Sequence, residues 1–158
     1  MAGTINPQDA AENVIAVLTA GMAAQLSAID TEYGDGITLP TVDNYWRSPQ
    51  TQYPAALNIV VVPAETEPDN SPDQLQTHQL VLEMILTEGS SNASYSTTEL
   101  VTIKLWRIVR AIQELLNKTT LSGSVNQCFV VSAQATELGQ DGRRFEQRAE
   151  IELLIQIS

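Results

Sequence analysis

Apolar residues recur along this chain with two periods, one helical and one strand-like. The sharpest helical case is residues 96–118. Ser96-Thr97-Thr98-Glu99 has the form of a capping box, with Ser96 as N-cap and Glu99 reaching back from N3. Behind it Val101, Leu105, Ile108, Ile112 and Leu116 fall on one stripe, which predicts a buried helix face ending near Lys118. An earlier helix starts with Asn6 as N-cap, Pro7 at N1 and Asp9 near the positive end. Its stripe is Ala11, Val14, Ile15, Leu18, Met22, Leu26 and Ile29, and it should end near Asp30, before the turn-rich residues 31–36. Ala10, Ala16, Ala20, Gly21, Ala23 and Ala24 permit close approach of a neighbouring element.

The strand-like segments lie between and after these helices. Residues 55–62 are nearly continuously apolar, which fits a central strand stopped by Pro63. Residues 63–76 mix prolines with Glu65, Glu67, Asp69 and Asp73 and read as a mobile acidic loop. Leu80, Leu82, Met84 and Leu86 alternate with Val81, Glu83, Ile85 and Thr87, the period of a strand. Residues 37–39 suggest a further short strand, and 89–95 a polar loop. Both 63–76 and 88–96 are expected to order on binding. The chain closes with a hairpin around Gly139-Gln140-Asp141-Gly142. A loop over 140–142 would set Val131 opposite Ile151, Phe129 opposite Leu153 and Ala133 opposite Ala149, gathering apolar residues on one face. Ser132, Gln134, Arg148, Glu150 and Glu152 would then share a polar face turned to water or a wet lumen.

The expected order is helix, strand, strand, helix, strand, strand. It predicts a single α+β domain over 1–158, a mostly antiparallel sheet backed by two helices, with a long C-terminal β-hairpin. Trp46, beside Tyr45, reads either as a partner anchor or as a plug over one end of the core.

Composition narrows the function classes. A net charge of -11 argues against nucleic acid as the main partner. No Lys or Arg precedes Arg47, whereas Lys104, Arg107, Arg110 and Lys118 line one side of the second helix. That side is either solvated or a contact to acids of another copy. Cys128 is the single cysteine, so no intrachain disulfide framework exists, which suits a reducing cytosol. The first residues lack the pattern of a secretory signal, and no apolar run is expected to approach the ~18 residues needed to span a bilayer.

Chemistry-bearing residues do not cluster. There is no glycine-rich phosphate loop. His78 is the sole histidine and reads as a surface or edge residue. Cys128 reads as a small buried hydrophobe at a strand start rather than a nucleophile paired with His78. Glu150 and Glu152 stand beside Arg148 on one strand, unlike a carboxylate pair from separate elements. The acidic loop lacks calcium-loop spacing. The expectation is a non-enzyme without catalytic residues, cofactor or metal.

The sequence Tyr53 to Val62, the Pro/acid loop, the alternating strand, the Trp106-Arg107 helix and the terminal Ala149-Glu150-Ile151-Glu152-Leu153-Leu154-Ile155 together resemble the tail terminator (tail completion) proteins of long-tailed bacteriophages. The resemblance spans nearly the whole chain and implies a virion protein of the tail or neck, assembled in the host cytoplasm. It implies a hexameric ring that caps the tail tube, stops its growth and joins the head-side neck connector. DNA would only pass through its lumen, and no membrane would be involved. Lys104, Arg107 and Arg110 become candidate subunit contacts, and Arg148, Glu150 and Glu152 candidate lumen residues. The alternatives are another neck or head-completion ring protein, or a small ligand-binding domain with its pocket near Tyr45 and Trp46.

Overall fold

The computed structural model describes residues 7–42, 44–53, 55–67, 76–117, 119–121, 126–136, 138–141 and 144–157. Asn6, Lys118, Gly142 and the centre of the acidic 63–76 segment lie outside the described residues. In chain order the elements are α1 (Pro7–Tyr33), β1 (Asn44–Trp46), β2 (Leu57–Glu67), β3 (Gln76–Glu88), α2 (Thr97–Leu116), β4 (Thr119–Leu121), β5 (Asn126–Ala135), β6 (Gly139–Asp141) and β7 (Arg144–Ile157). They form one sheet in the order β1-β2-β3-β7-β5-β4, with β6 also on β7. Only the β1–β2 pairing is parallel among those described. This is the expected α+β fold, a largely antiparallel sheet with helices on one side and a long terminal hairpin.

Local chemistry sets the helix limits. Ser96 Oγ accepts from Glu99 N at 3.3 Å, and Glu99 Oε1 accepts from Ser96 N at 3.2 Å, so the capping box is complete. The Ser96 hydrogen bonds hold the Glu99 carboxyl below its ordinary range. α1 continues past Asp30 to Tyr33, because the left-handed stop is at Gly34, with φ 55°, whose N–H donates to Asp30 O at 3.0 Å. Asp30 instead turns its carboxylate to the N–H of Leu39 at 3.2 Å. Residues 37–39 are therefore a loop rather than a strand, with Ile37 and Leu39 buried. The 89–95 loop is held by its own bonds, chiefly the Asn92 side chain accepting from Ser94 N at 2.9 Å and Tyr95 N at 2.7 Å.

Both expected stripes are buried, and both lie on the same face of the sheet. They meet Leu57, Ile59 and Val61 of β2, Leu80, Leu82 and Met84 of β3, and Ala149, Ile151, Leu153 and Ile155 of β7. Contacts of α1 residues 21, 25 and 32 with α2 residues 115, 114 and 110 show that the helices run antiparallel. At Gly21 the helices come close: a Cβ there would lie 2.7 Å from Leu115 Cδ2. By length and composition α1 is apolar enough to cross a membrane, which corrects the expectation that no segment is. A third of its apolar 18-residue stretch is buried against the sheet and α2, and exposed alanines such as Ala16, Ala20, Ala23 and Ala24 add to its apolarity.

The strands depart from expectation at two bulges. β2 does not stop at Pro63 but runs to Glu67, so 63–67 is strand rather than loop. The register shifts between Pro63 and Glu65, which accommodates a residue that cannot donate to the ladder. In the terminal hairpin Val130 pairs with Leu153 and Ala133 with Ile151, with the shift at Val131. The expected register is thus wrong. Cys128 and Val130 face the core before the bulge, Ala133 and Ala135 after it, and Val131 is 59% exposed. Phe129 pairs with Leu154 on the opposite face. One extra residue changes which parity points inward, and no periodic pattern encodes it.

Removing the N-cap tests this account. Ser96→Ala should cost about 1 kcal/mol in urea unfolding, and Ile108→Ala about 2–5 kcal/mol. Gly21→Val should cost about 1–3 kcal/mol by crowding Leu115. A neutral Ile108→Ala would contradict the burial of the α2 stripe.

Candidate functional surfaces

The basic side of α2 is neutralised within the chain. Lys104 Nζ pairs with Glu88, with side chains only 14% and 11% exposed. Arg107 grips Asp35 with both nitrogens, at 3.1 and 2.6 Å, and its guanidinium lies 3.7 Å from the centre of the Tyr33 ring. Arg110 bridges Glu32 at 2.6 Å and Glu114 at 2.8 Å. The Arg107 hydrogen bonds hold the Asp35 carboxyl below its ordinary value. Burial pushes the Glu88 carboxyl up, but Lys104 and Ser90 outweigh it and the net shift is down. Lys104 and Arg107 thus tie α2 to the loops after β3 and α1. Arg110, more exposed, retains a side toward solvent.

The polar strand residues meet on the sheet face away from the helices. Rows across β2, β3, β7 and β5 read Asn58–Ile85–Arg148, then Val60–Glu83–Glu150–Gln134, then Val62–Val81–Glu152–Ser132. The first row is covered. Trp46 Nε1 donates to Asn58 Oδ1 at 3.2 Å and packs edge-on against Tyr53, with ring centres 6.2 Å apart. Arg148 lies 5.6 Å from the Tyr53 ring centre and pairs with Glu83 at 2.8 Å and Glu146 at 2.7 Å. Trp46 therefore covers the back of the sheet, while Tyr45, one residue earlier, packs on the helix-side core. Burial pushes the Tyr45 hydroxyl up to about 12. Beyond this cover Glu150, Ser132, Gln134 and Val131 are exposed. Among the described residues Glu150 and Glu152 have no cationic partner.

His78 and Cys128 occupy one row of the core, each paired with Ile155 from opposite sides. Two strand spacings separate their backbones by about 10 Å, beyond the reach of a nucleophile–base hydrogen bond. Burial pushes the Cys128 thiol up to about 12, which keeps it protonated. His78 is buried, not at the surface as expected, because its position shares parity with Leu80 and Leu82. No group of three or more potential metal ligands occurs among the described residues.

A cavity of about 690 Å³ opens at the Glu88 end of β3, lined in part by Thr38, Thr87, Glu88, Ser90, Lys104 and Arg144. Neither Tyr45 nor Trp46 lines it. Sequence reasoning missed this place, because its walls come from five separate segments. The consecutive Arg143 and Arg144 after the turn glycine were the available signal.

No family model and no curated protein matches the sequence. Among solved structures, the chain is similar to one from a virion of a native gene transfer agent particle. The identity is 14% over 90% of this chain and 97% of that one, with a TM-score of 0.45. A second solved chain aligns at 16% identity over 90% of this chain and 94% of the other, with a TM-score of 0.43.

The ion pairs predict an acid limb. A carboxyl with a lowered folded pKa stabilises above its unfolded value and loses that contribution as pH falls through the folded value. Wild-type unfolding free energy should therefore drop below about pH 4. Arg107→Gln should start lower near neutrality and drop less steeply, as should Lys104→Met. Curves parallel to wild type would contradict the pairings.

Proposed function

We propose that this chain is a structural virion protein, a tail-terminator-type subunit that closes into a ring of about six copies at the end of a tail tube. The observation that carries this reading is the one-sided sheet. Both helices pack on one face, while the other presents Glu150 and Glu152 without a described cationic partner. Such a face suits the wall of a wet channel. Around Arg148 stand four carboxylates, Glu83, Glu146, Glu150 and Glu152. A channel wall of that charge repels duplex DNA and lets it slide without sticking.

In this reading the tube protein lies on one side of the ring and the head-side connector on the other. Subunits join head to tail, as closed rings with unlike contact surfaces require. Arg110, still partly exposed, is a proposed contributor to that contact, whereas reversing Arg107 would first damage its own protomer through Asp35. Another neck or connector ring would use the same channel face. The small ligand-binding alternative would use the cavity beside Arg144 rather than the aromatic pair.

Native mass spectrometry and negative-stain microscopy at ordinary salt should show closed rings, alone or on tube protein. A monomer under both conditions would refute the assignment. Glu150→Lys with Glu152→Lys should leave rings intact and lower particle infectivity or DNA delivery. Unchanged titres would remove the channel role from this face.

A further inference from the structure

The cavity beside β3 is the remaining place where charge is unbalanced. Among the described residues Arg47, Lys104, Arg107, Arg110 and Arg148 each pair with an acid of the same chain. Arg144 is exposed and has no acidic partner among them. Its side chain lies along Gly89, where a Cβ would come 3.4 Å from Arg144 Cγ. Glu88, the acid of this cavity, is already engaged by Lys104 and by Ser90, whose N–H donates at 3.1 Å and hydroxyl at 2.6 Å. The cavity thus offers one uncommitted guanidinium with Thr38 and Thr87 nearby, in a volume suited to a chain segment rather than a lone ion.

The chain itself carries a matching segment. Glu65, Glu67, Asp69 and Asp73 fall in nine residues that contain no Lys or Arg. This stretch joins β2 to β3 at the Gln76 end of β3, whereas the cavity lies at the Glu88 end. Thirteen strand residues separate these ends by about 40 Å, so the strand ends that flank the acidic stretch are remote from the cavity of the same protomer.

We propose that the Arg144 cavity receives the acidic 65–73 stretch of a second copy. This rests on the ring reading and gives its head-to-tail contact a chemistry: carboxylates of one protomer against the Arg144 guanidinium of the next.

Charge exchange tests it. Arg144→Glu, and separately Asp69→Lys with Asp73→Lys, should each prevent ring formation while keeping the wild-type unfolding midpoint. An equimolar mixture of the two should restore rings with alternating subunits, because the Arg144→Glu cavity then meets the two introduced lysines and the intact Arg144 cavity meets an intact acidic segment. Rings of wild-type mass from Arg144→Glu alone, or no rescue in the mixture, would overturn the proposal while leaving the ring reading intact. If Arg144→Glu fails to fold, Arg144→Asp serves in its place. If the wild type forms no ring, the ring reading fails and a synthetic peptide of residues 64–75 decides the cavity separately. It should shift the amide resonances of Gly89, Ser90 and Arg144, with affinity falling about tenfold in Arg144→Gln. Absence of those shifts at millimolar peptide would overturn the cavity assignment.

Discussion

Both helices bury their stripes against the same face of one sheet, and the rest of the molecule follows from that one-sided burial. Strand side chains alternate between faces, so each residue placed in the core commits its neighbour to the other side. Leu80, Leu82, Met84 and Leu86 face the helices, and Val81, Glu83 and Ile85 therefore face away. The helices approach each other closely at Gly21, which lets them lie side by side over the strands. The two bulges, at 63–65 and at Val131, re-phase strands whose sequences would otherwise lose the core parity. What remains is a second face, covered at one end by Trp46 and Tyr53 and open beyond Arg148.

Electrostatics divide along the same line. On the helix side, cations from α2 hold the loops after α1 and β3 through Arg107–Asp35 and Lys104–Glu88. Both pairs are largely shielded from solvent, so salt screens them little, and they fix where the loop after α1 and the end of β3 sit against α2. On the open side, Arg148 is engaged by Glu83 and Glu146, while Glu150 and Glu152 have no cationic partner among the described residues. A net charge of -11 is then less a bulk property than the excess left after almost every described cation has found an internal acid. Arg144 stands outside that pattern, at the cavity where segments from distant parts of the chain converge.

The parts legible in the sequence were those set by local periodicity. The capping box at Ser96 and Glu99, both helix stripes and the alternation from Leu80 to Leu86 need only neighbouring residues to be recognised. The parts that escaped depend on partners far along the chain. Arg107 and Asp35 lie 72 positions apart, so helix periodicity showed a basic side but not that its charges were already used. The hairpin register failed because turn residues and alternation assume an unbroken ladder, whereas the shift at Val131 reverses the inward parity of β5. Ser132, Gln134, Arg148, Glu150 and Glu152 still share a face, since β7 has no such shift against β3 and the bulge puts Ser132 and Gln134 back in phase. His78 reads as a surface residue by type, yet its strand position places it inside.

The central claim is that the uncovered sheet face turns inward in a closed ring. A cryo-electron microscopy reconstruction of the assembled protein, at a resolution that separates helices from strands, addresses it most directly. The account predicts α1 and α2 on the outer wall, with Glu150 and Glu152 lining a channel wide enough for duplex DNA. A ring with its helices around the channel, or an assembly with that sheet face buried between subunits, would contradict it.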